Sequence, residues 1–90
     1  MNKRELYRKA FEKWGSNMQL VIAIEELSEL QKVCCKKIRG SEDLDDITDE
    51  IADVEIMCEQ LRVLYGIDAQ VEHTKLLKIE RLEERLGENK

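Results

Sequence analysis

The fold is decided by two stretches of the chain, QLVIAIEELSELQKVCCKKIR at 19–39 and ITDEIADVEIMCEQLRVLY at 47–65. In both stretches apolar residues recur every three or four positions, which is the spacing that buries one face of an α-helix. At 1.5 Å per residue each helix is roughly 30 Å long. The short connection at Gly40 predicts that the two helices form an antiparallel hairpin.

Glycines stand where four predicted helices end. The predicted first helix runs from Lys3 to Trp14, and the others cover 16–39, 41–65 and 68–87. Their caps are predicted at Ser16 or Asn17, at Ser41 or Asp43, and at Asp68, and Gly87 is predicted to close the last helix. The chain has no proline and only 4% aromatic residues, which favours long helices. We therefore predict an all-α bundle of about four helices, one domain spanning 1–90, completed by oligomerisation.

Length, charge and cysteine content predict a small, single-domain cytoplasmic protein. Ninety residues make one domain that is marginally stable alone, so a second copy is the expected stabiliser. The three cysteines, Cys34, Cys35 and Cys58, make a poor disulfide framework and predict reduced thiols in the cytoplasm. No apolar run approaches the ~18 residues of a membrane span. The net charge of −5 argues against nucleic-acid binding.

An acidic block lies between Ser41 and Gln60, with nine Asp or Glu residues and no Lys or Arg. It is threaded with apolar residues at helical spacing, so it is a helix and not a solvated tail. At about 100° per residue, Glu50 falls inside the apolar arc, with Asp53 at its edge. On the preceding helix Glu26 and Glu29 straddle apolar neighbours. Buried carboxylates need a partner, since an unpaired one costs several kcal/mol.

The partner of such a carboxylate can be a Lys or Arg residue, a shared proton or a divalent cation. Glu26 and Glu29 are three residues apart, as are Glu50 and Asp53, so each pair projects from one side of its helix. Brought together across the hairpin, four carboxylates and no cation would repel, and oxygen ligands favour Mg²⁺ or Mn²⁺. A solvated surface remains the alternative. A di-iron site is disfavoured because it requires Glu-x-x-His motifs, and His73 is the only histidine.

The residues Glu25–Leu30 (EELSEL) and Asp49–Val54 (DEIADV) resemble the EExxE…ExxD motif of the MazG-like all-α nucleoside triphosphate pyrophosphohydrolases. The resemblance covers most of the chain. It implies that Glu26, Glu29, Glu50 and Asp53 coordinate Mg²⁺, with Mn²⁺ as a possible substitute. Glu25 would orient a ligand or water, or else form a surface ion pair with Lys32 or Lys36.

The same resemblance implies the reaction and the substrate contacts. A water attacks the α-phosphorus of a nucleoside triphosphate, and the products are a nucleoside monophosphate and pyrophosphate. Lys78 and Arg81 resemble the basic positions downstream of the family motif and would hold the phosphates together with Lys75 of the same helix, although basic residues here also suit a helix C-terminus. Base contacts would come from Trp14 and Gln19, which have structural alternatives as a core plug and a helix cap.

The resemblance also bears on assembly. The chain carries a single copy of the motif, and its hairpin needs a partner to close the nucleotide pocket, so we expect a homodimer or a dimer of dimers. The apolar positions Ala52, Ile56 and Val63 lie away from the main face and favour such a contact. The alternative function is a non-catalytic acidic helical module that dimerises and binds a basic partner.

Overall fold

The computed structural model describes residues 1–88, which form four α-helices and no strand within that range. The helices are α1 (Lys3–Trp14), α2 (Ser16–Ile38), α3 (Asp45–Leu64) and α4 (Asp68–Glu88). The prediction of an all-α chain with four helices is confirmed. None of the described helices combines the length and the apolar character needed to cross a bilayer.

Three of the four glycines end helices as predicted. Gly15, Gly40 and Gly66 have positive φ angles of 84°, 101° and 63°, which favour glycine. The prediction for Gly87 is wrong, because α4 continues through it to Glu88. Helix α4 contacts only α3, so no packing forces the chain to turn at Gly87.

The predicted caps of α2, α3 and α4 are also corrected. Gly15 is the N-cap of α2 and Leu44 that of α3, and neither forms a side-chain cap bond. Asp43, the residue before the N-cap, still binds the start of α3, because its Oδ1 accepts a hydrogen bond from the Asp45 N–H at 2.9 Å. Asp68 is the first residue of α4, and its carboxylate accepts a hydrogen bond from Arg62 at 2.7 Å. At α4, the hydrogen bond from Arg62 engages the Asp68 carboxylate that was predicted to cap the helix.

Helices α2 and α3 make the most extensive contact between elements. Near the connecting turn the Nζ of Lys37 lies 2.7 Å from the Oδ1 of Asp46. Further from the turn, Glu26 of α2 lies beside Glu50 and Asp53 of α3. These pairs run in antiparallel order along the two helices. Helix α1 packs on both α2 and α3, whereas α4 contacts α3 alone.

The buried core is small. Its members are Ala23, Val33 and Met57, joined by the polar Gln19. Helical spacing places Leu27, Cys34 and Ile38 in the same apolar arc of α2 as Ala23 and Leu30, yet these three residues are exposed. The apolar arc of α2 is wider than one neighbouring helix can cover. Helix α3 packs against the side of this arc that carries Ala23 and Val33, and the other side of the arc is exposed.

The single chain has more surface than a compact protein of its size. Its radius of gyration is 16.3 Å, against about 12 Å for a compact domain of this length. Its accessible surface is 7277 Å² for 10.6 kDa, against about 5,500 Å² for a typical folded monomer. No side chain is fully buried among the described residues.

Candidate metal centre

Three of the predicted acidic residues meet between α2 and α3. Glu26, Glu50 and Asp53 each place a carboxylate oxygen within 4.8 Å of the other two. Glu50 and Asp53 are three residues apart on α3, so both project from the same side of that helix towards α2. We call these three residues the acidic triad. The contact between α2 and α3 brings the acidic triad together.

The triad lies in a partly desolvated position. All three members are half-buried, and the Oε2 atom of Glu50 is buried without a hydrogen-bond partner. A buried carboxylate oxygen that lacks a donor carries the full cost of leaving water. Glu50 is therefore held where its charge is unfavourable for the isolated chain.

Burial and mutual repulsion change the acidity of the triad. Partial burial, followed by the negative charge of Asp53, raises the pKa of Glu50 above its usual value. The same two causes raise the pKa of Glu26, which also comes within hydrogen-bonding reach of Asp53. Both carboxyls thus hold a proton more tightly than they would in an unfolded chain.

No lysine or arginine neutralises the triad within the part of the chain that the structure describes. The ion pairs found there involve other acids, namely Glu29, Asp46, Glu59, Asp68 and Glu72. Oxygen atoms in the octahedral shell of Mg²⁺ lie about 3–4 Å apart, so small side-chain rotations would let one ion contact all three carboxylates. The donor set, three carboxylates with one oxygen lacking a partner, fits a hard divalent cation.

Glu29 and Glu25 stand outside the triad. The Oε1 of Glu29 accepts a hydrogen bond from Lys32 Nζ at 3.2 Å, and Glu29 is half exposed. The negative charge of Glu29 nevertheless acts on the acidic triad, because its repulsion is one of the causes that raise the pKa of Glu50. Glu25 is exposed, and its charge contributes to the raised pKa of Glu26. Lys32, predicted as a possible partner of Glu25, pairs with Glu29 instead.

The predicted phosphate-binding residues lie on α4. Lys75, Lys78 and Arg81 are exposed, and the Nζ of Lys75 is 3.8 Å from the Oε1 of Glu72. Helix α4 has no contact with α2, which carries Glu26. The single chain therefore does not bring these basic side chains to the acidic triad.

The predicted base-binding residues lie near the junction of α1 and α2. Trp14 is 54% exposed, and the Nζ of Lys13 is 5.3 Å from the centroid of its ring. Its indole is thus a surface group and does not plug the core. Gln19 is only 3% exposed, and its Oε1 is buried without a hydrogen-bond partner. Gln19 is seven residues before Glu26, or about 10 Å along the axis of α2.

Sequence reasoning missed a polar network between α1 and α3. Glu59 accepts hydrogen bonds from Tyr7 at 2.6 Å and from Lys3 at 3.3 Å. This contact raises the pKa of Tyr7 to about 12 and lowers that of Glu59. The partners come from a helix 52 to 56 residues away, so residue spacing carries no signal for them.

No protein-family model, curated protein or solved structure matches this chain. Membership of the MazG-like family therefore stays a prediction that depends on the residues of the two motif halves. What the fold adds is the meeting of Glu26, from the first half, with Glu50 and Asp53, from the second.

Proposed function

We propose that this chain is a MazG-like, magnesium-dependent nucleoside triphosphate pyrophosphohydrolase that acts in the cytoplasm. One observation carries the proposal: the acidic triad is half-buried, lacks a cationic partner among the described residues and contains an orphaned oxygen on Glu50. Such a group of acids is costly unless a cation joins it. Two of its members have raised pKa values, which often mark functional sites.

Glu26, Glu50 and Asp53 are the residues that would hold Mg²⁺, and Mn²⁺ has similar ligand preferences. Glu29 would join them after leaving Lys32, a surface partner that holds it only weakly. Bound magnesium there would offset the charge of the triphosphate and make a water a stronger nucleophile at the α-phosphorus. Glu25, exposed beside Glu26, would orient that water from the edge of the site.

Cleavage requires one bond to form and one to break. The oxygen of water bonds to the α-phosphorus, the bond from the α-phosphorus to the bridging oxygen breaks, and a nucleoside monophosphate and pyrophosphate separate. Lys78 and Arg81, with Lys75, would bind the outer phosphates through charge-assisted hydrogen bonds. Trp14 has an exposed ring on which a base can stack, and the amide of Gln19 has an acceptor without a partner.

The experiment that tests this proposal is pyrophosphate release from a panel of ribo- and deoxyribonucleoside triphosphates, with and without Mg²⁺. We expect release of pyrophosphate that needs Mg²⁺, with little free phosphate. Products of any other bond cleavage, or no turnover of any nucleotide in the panel, would contradict the proposal. The panel also identifies the preferred base and sugar.

A second candidate function is a non-catalytic acidic module that dimerises and binds a basic partner. It is favoured by the many large apolar side chains that the single chain leaves exposed. This candidate predicts no pyrophosphate release and no stabilisation by Mg²⁺ beyond the effect of ionic strength. In both cases we expect a homodimer or a dimer of dimers, because the core of the single chain is small.

A further inference from the structure

A groove on the surface of α2 is lined by basic and neutral polar side chains. Its volume is about 500 Å³, and its lining consists of Ser28, Gln31, Lys32, Cys35, Lys36 and Arg39. Three of these residues carry a positive charge, and the other three add a hydroxyl, an amide and a thiol. Among the described residues that line it there is no Asp or Glu. We call this feature the basic groove, and its composition suits an anion.

The basic groove lies on the side of α2 that faces away from α3. By helical spacing its lining is about half a turn from Ala23 and Val33, which are buried. Lys36 and Arg39 form no ion pair with any residue that the structure describes. Neither packing against α3 nor ion pairing within the described chain therefore accounts for these two charges.

Lys32 connects the basic groove to the acidic triad. Its Nζ lies 3.2 Å from the Oε1 of Glu29, and the charge of Glu29 in turn contributes to the raised pKa of Glu50. The side chain of Lys32 is 66% exposed, so its ammonium group has room to turn away from Glu29. Under the proposed function Glu29 leaves Lys32 for the cation, and the ammonium of Lys32 then lacks an acidic partner beside the site.

A triphosphate needs positive charge at the place where it binds. The chain has a net charge of −5, and the acidic triad groups three carboxylates together, so both repel phosphate. Lys78 and Arg81 are on α4, which has no contact with α2. The basic groove, in contrast, adjoins the triad within the single chain, through the ion pair of Lys32 with Glu29.

We propose that the basic groove binds the outer two phosphates of the nucleoside triphosphate, with the ammonium groups of Lys32 and Lys36 donating charge-assisted hydrogen bonds to them. Lys36 is four residues beyond Lys32, about 6 Å along the helix axis, so the two ammonium groups can contact different phosphates. The inference rests on the proposed function, because it requires the α-phosphorus to lie at the triad. It adds a coupling between ligands: the cation that takes Glu29 releases Lys32 for phosphate, so each ligand should strengthen the binding of the other.

Inorganic pyrophosphate is the probe, because it has the chemistry of the outer two phosphates without the base or the ribose. Isothermal titration calorimetry measures its binding with and without Mg²⁺, and we expect tighter binding with the ion. Lys32→Gln and Lys36→Gln should each weaken binding in Mg²⁺ about tenfold, the value of one hydrogen bond to a charged group. Lys36→Arg, which keeps the charge, should restore most of the affinity.

The matched control is Lys9→Gln, which removes the same charge from an exposed position on α1 outside the groove. This variant should bind pyrophosphate like the wild type at physiological ionic strength, because salt screens distant charges. Lys32 and Lys36 are also exposed, so all of these variants should fold, and their Tm values check this. In Lys36→Gln the KM for a nucleotide should rise with kcat almost unchanged, since a phosphate contact is present before and during the reaction.

A nucleoside triphosphate from the panel should also displace pyrophosphate from the wild type. No binding of pyrophosphate to the wild type, unchanged binding in both glutamine variants, an equal loss in Lys9→Gln, or no displacement by a nucleotide would each overturn the proposal. Turnover of a nucleotide combined with unchanged pyrophosphate binding in both variants would overturn the groove alone and leave the proposed function standing. Lysine-dependent binding that a nucleotide displaces, without any turnover, would support the groove and contradict the proposed function.

Discussion

Glu50 and Glu59 are the same residue type on the same helix, nine positions apart, and their surroundings are opposite. Glu59 accepts hydrogen bonds from Tyr7 and Lys3, and these bonds, the one from Tyr7 foremost, lower its pKa. Glu50 has a buried oxygen without a donor, and burial together with the charge of Asp53 raises its pKa. The Glu59 carboxylate has hydrogen-bond donors within the chain, whereas the Oε2 atom of Glu50 has none.

The difference separates an acid with partners inside the chain from an acid without them. The charge of Glu59 favours the folded chain, since it holds α1 on α3. The charge of Glu50 opposes the folded chain, and under the proposed function a bound cation would offset that charge. In the sequence both belong to one acidic block, and only their partners distinguish them. Exchanging each glutamate for glutamine, which keeps the shape and removes the charge, tests this separation.

The largest expected effect is on catalysis. Glu50→Gln should lower magnesium-dependent pyrophosphate release by more than about 100-fold, since even the loss of an outer partner of a metal ligand costs 10–100-fold. Glu59→Gln should keep activity near that of the wild type under conditions where it is folded. Steady-state kinetics with the preferred nucleotide measure both. Equal losses in the two variants would remove the distinction between the two acids.

The next effect is on stability with magnesium. At 100 times its dissociation constant, Mg²⁺ should stabilise the wild type by about 2.7 kcal/mol, or roughly 10–20 °C in Tm for a domain of this size. The Glu59→Gln variant should gain as much, and Glu50→Gln should gain little. Sodium chloride at matched ionic strength is the control, because screening alone relieves repulsion. The comparison fails if sodium reproduces the whole effect.

A smaller effect is expected without any divalent ion. Glu59→Gln and Tyr7→Phe should each lower the free energy of unfolding by about 1 kcal/mol, after allowance for solvent screening. Glu50→Gln should be at least as stable as the wild type, because it removes repulsion from Asp53 and Glu26. Urea denaturation measures all three variants. A clearly destabilised Glu50→Gln would mean that Glu50 has a stabilising partner in the fold.

The smallest effect is on the pH dependence of the metal-free protein. The pKa values of Glu26 and Glu50 are raised above 4.5 in the folded chain. Their contribution to stability is therefore fully present below pH 4.5 and is lost as the pH rises through the folded values. The pKa values of Asp46, Glu59 and Glu72 are lowered in the folded chain. Their contributions to stability are therefore present above about pH 4.5 and are lost only as the pH falls below it.

As the pH falls from 7 towards 4.5, the Tm of the metal-free wild type should accordingly rise. The rise should be smaller in Glu50→Gln and unchanged in Glu59→Gln, and saturating Mg²⁺ should reverse its sign, because protons compete with the ion for the same oxygens. Thermal unfolding followed by circular dichroism is the measurement. A metal-free Tm that falls over this interval would contradict the assignment of raised pKa values.

Helix number and helix ends were largely predictable, because glycine and the apolar period act locally. The bounds of α1, Lys3–Trp14, are those predicted, and α2 differs by one residue at its C-terminal end. Local signals did not predict which side of each apolar arc is buried. The arc of α2 is wide enough for two neighbours, and the choice between them depends on packing across the whole chain.

The site was predictable to the extent that helix geometry determines it. Glu26, Glu50 and Asp53 meet because of their positions on two antiparallel helices, whereas Glu29 turns to Lys32. That ion pair has the i,i+3 spacing, so it was visible in the sequence, although Lys32 was assigned to Glu25. The placement of Lys78 and Arg81 was not predictable from residue spacing, because it depends on the angle at which α4 leaves α3.

Arg62 attaches α4 to α3 through ion pairs that lie close to the start of α4. Its guanidinium holds Asp68 at 2.7 Å and Glu72 at 2.6 Å, both in the first two turns of a helix that is about 30 Å long. Beyond Lys75 no side chain of the described residues of α4 forms a hydrogen bond or ion pair with another helix. A rotation of ten degrees about Gly66 moves the far end by about 5 Å. The Arg62 guanidinium therefore anchors the start of α4, whereas the basic side chains Lys78 and Arg81 lie beyond its reach.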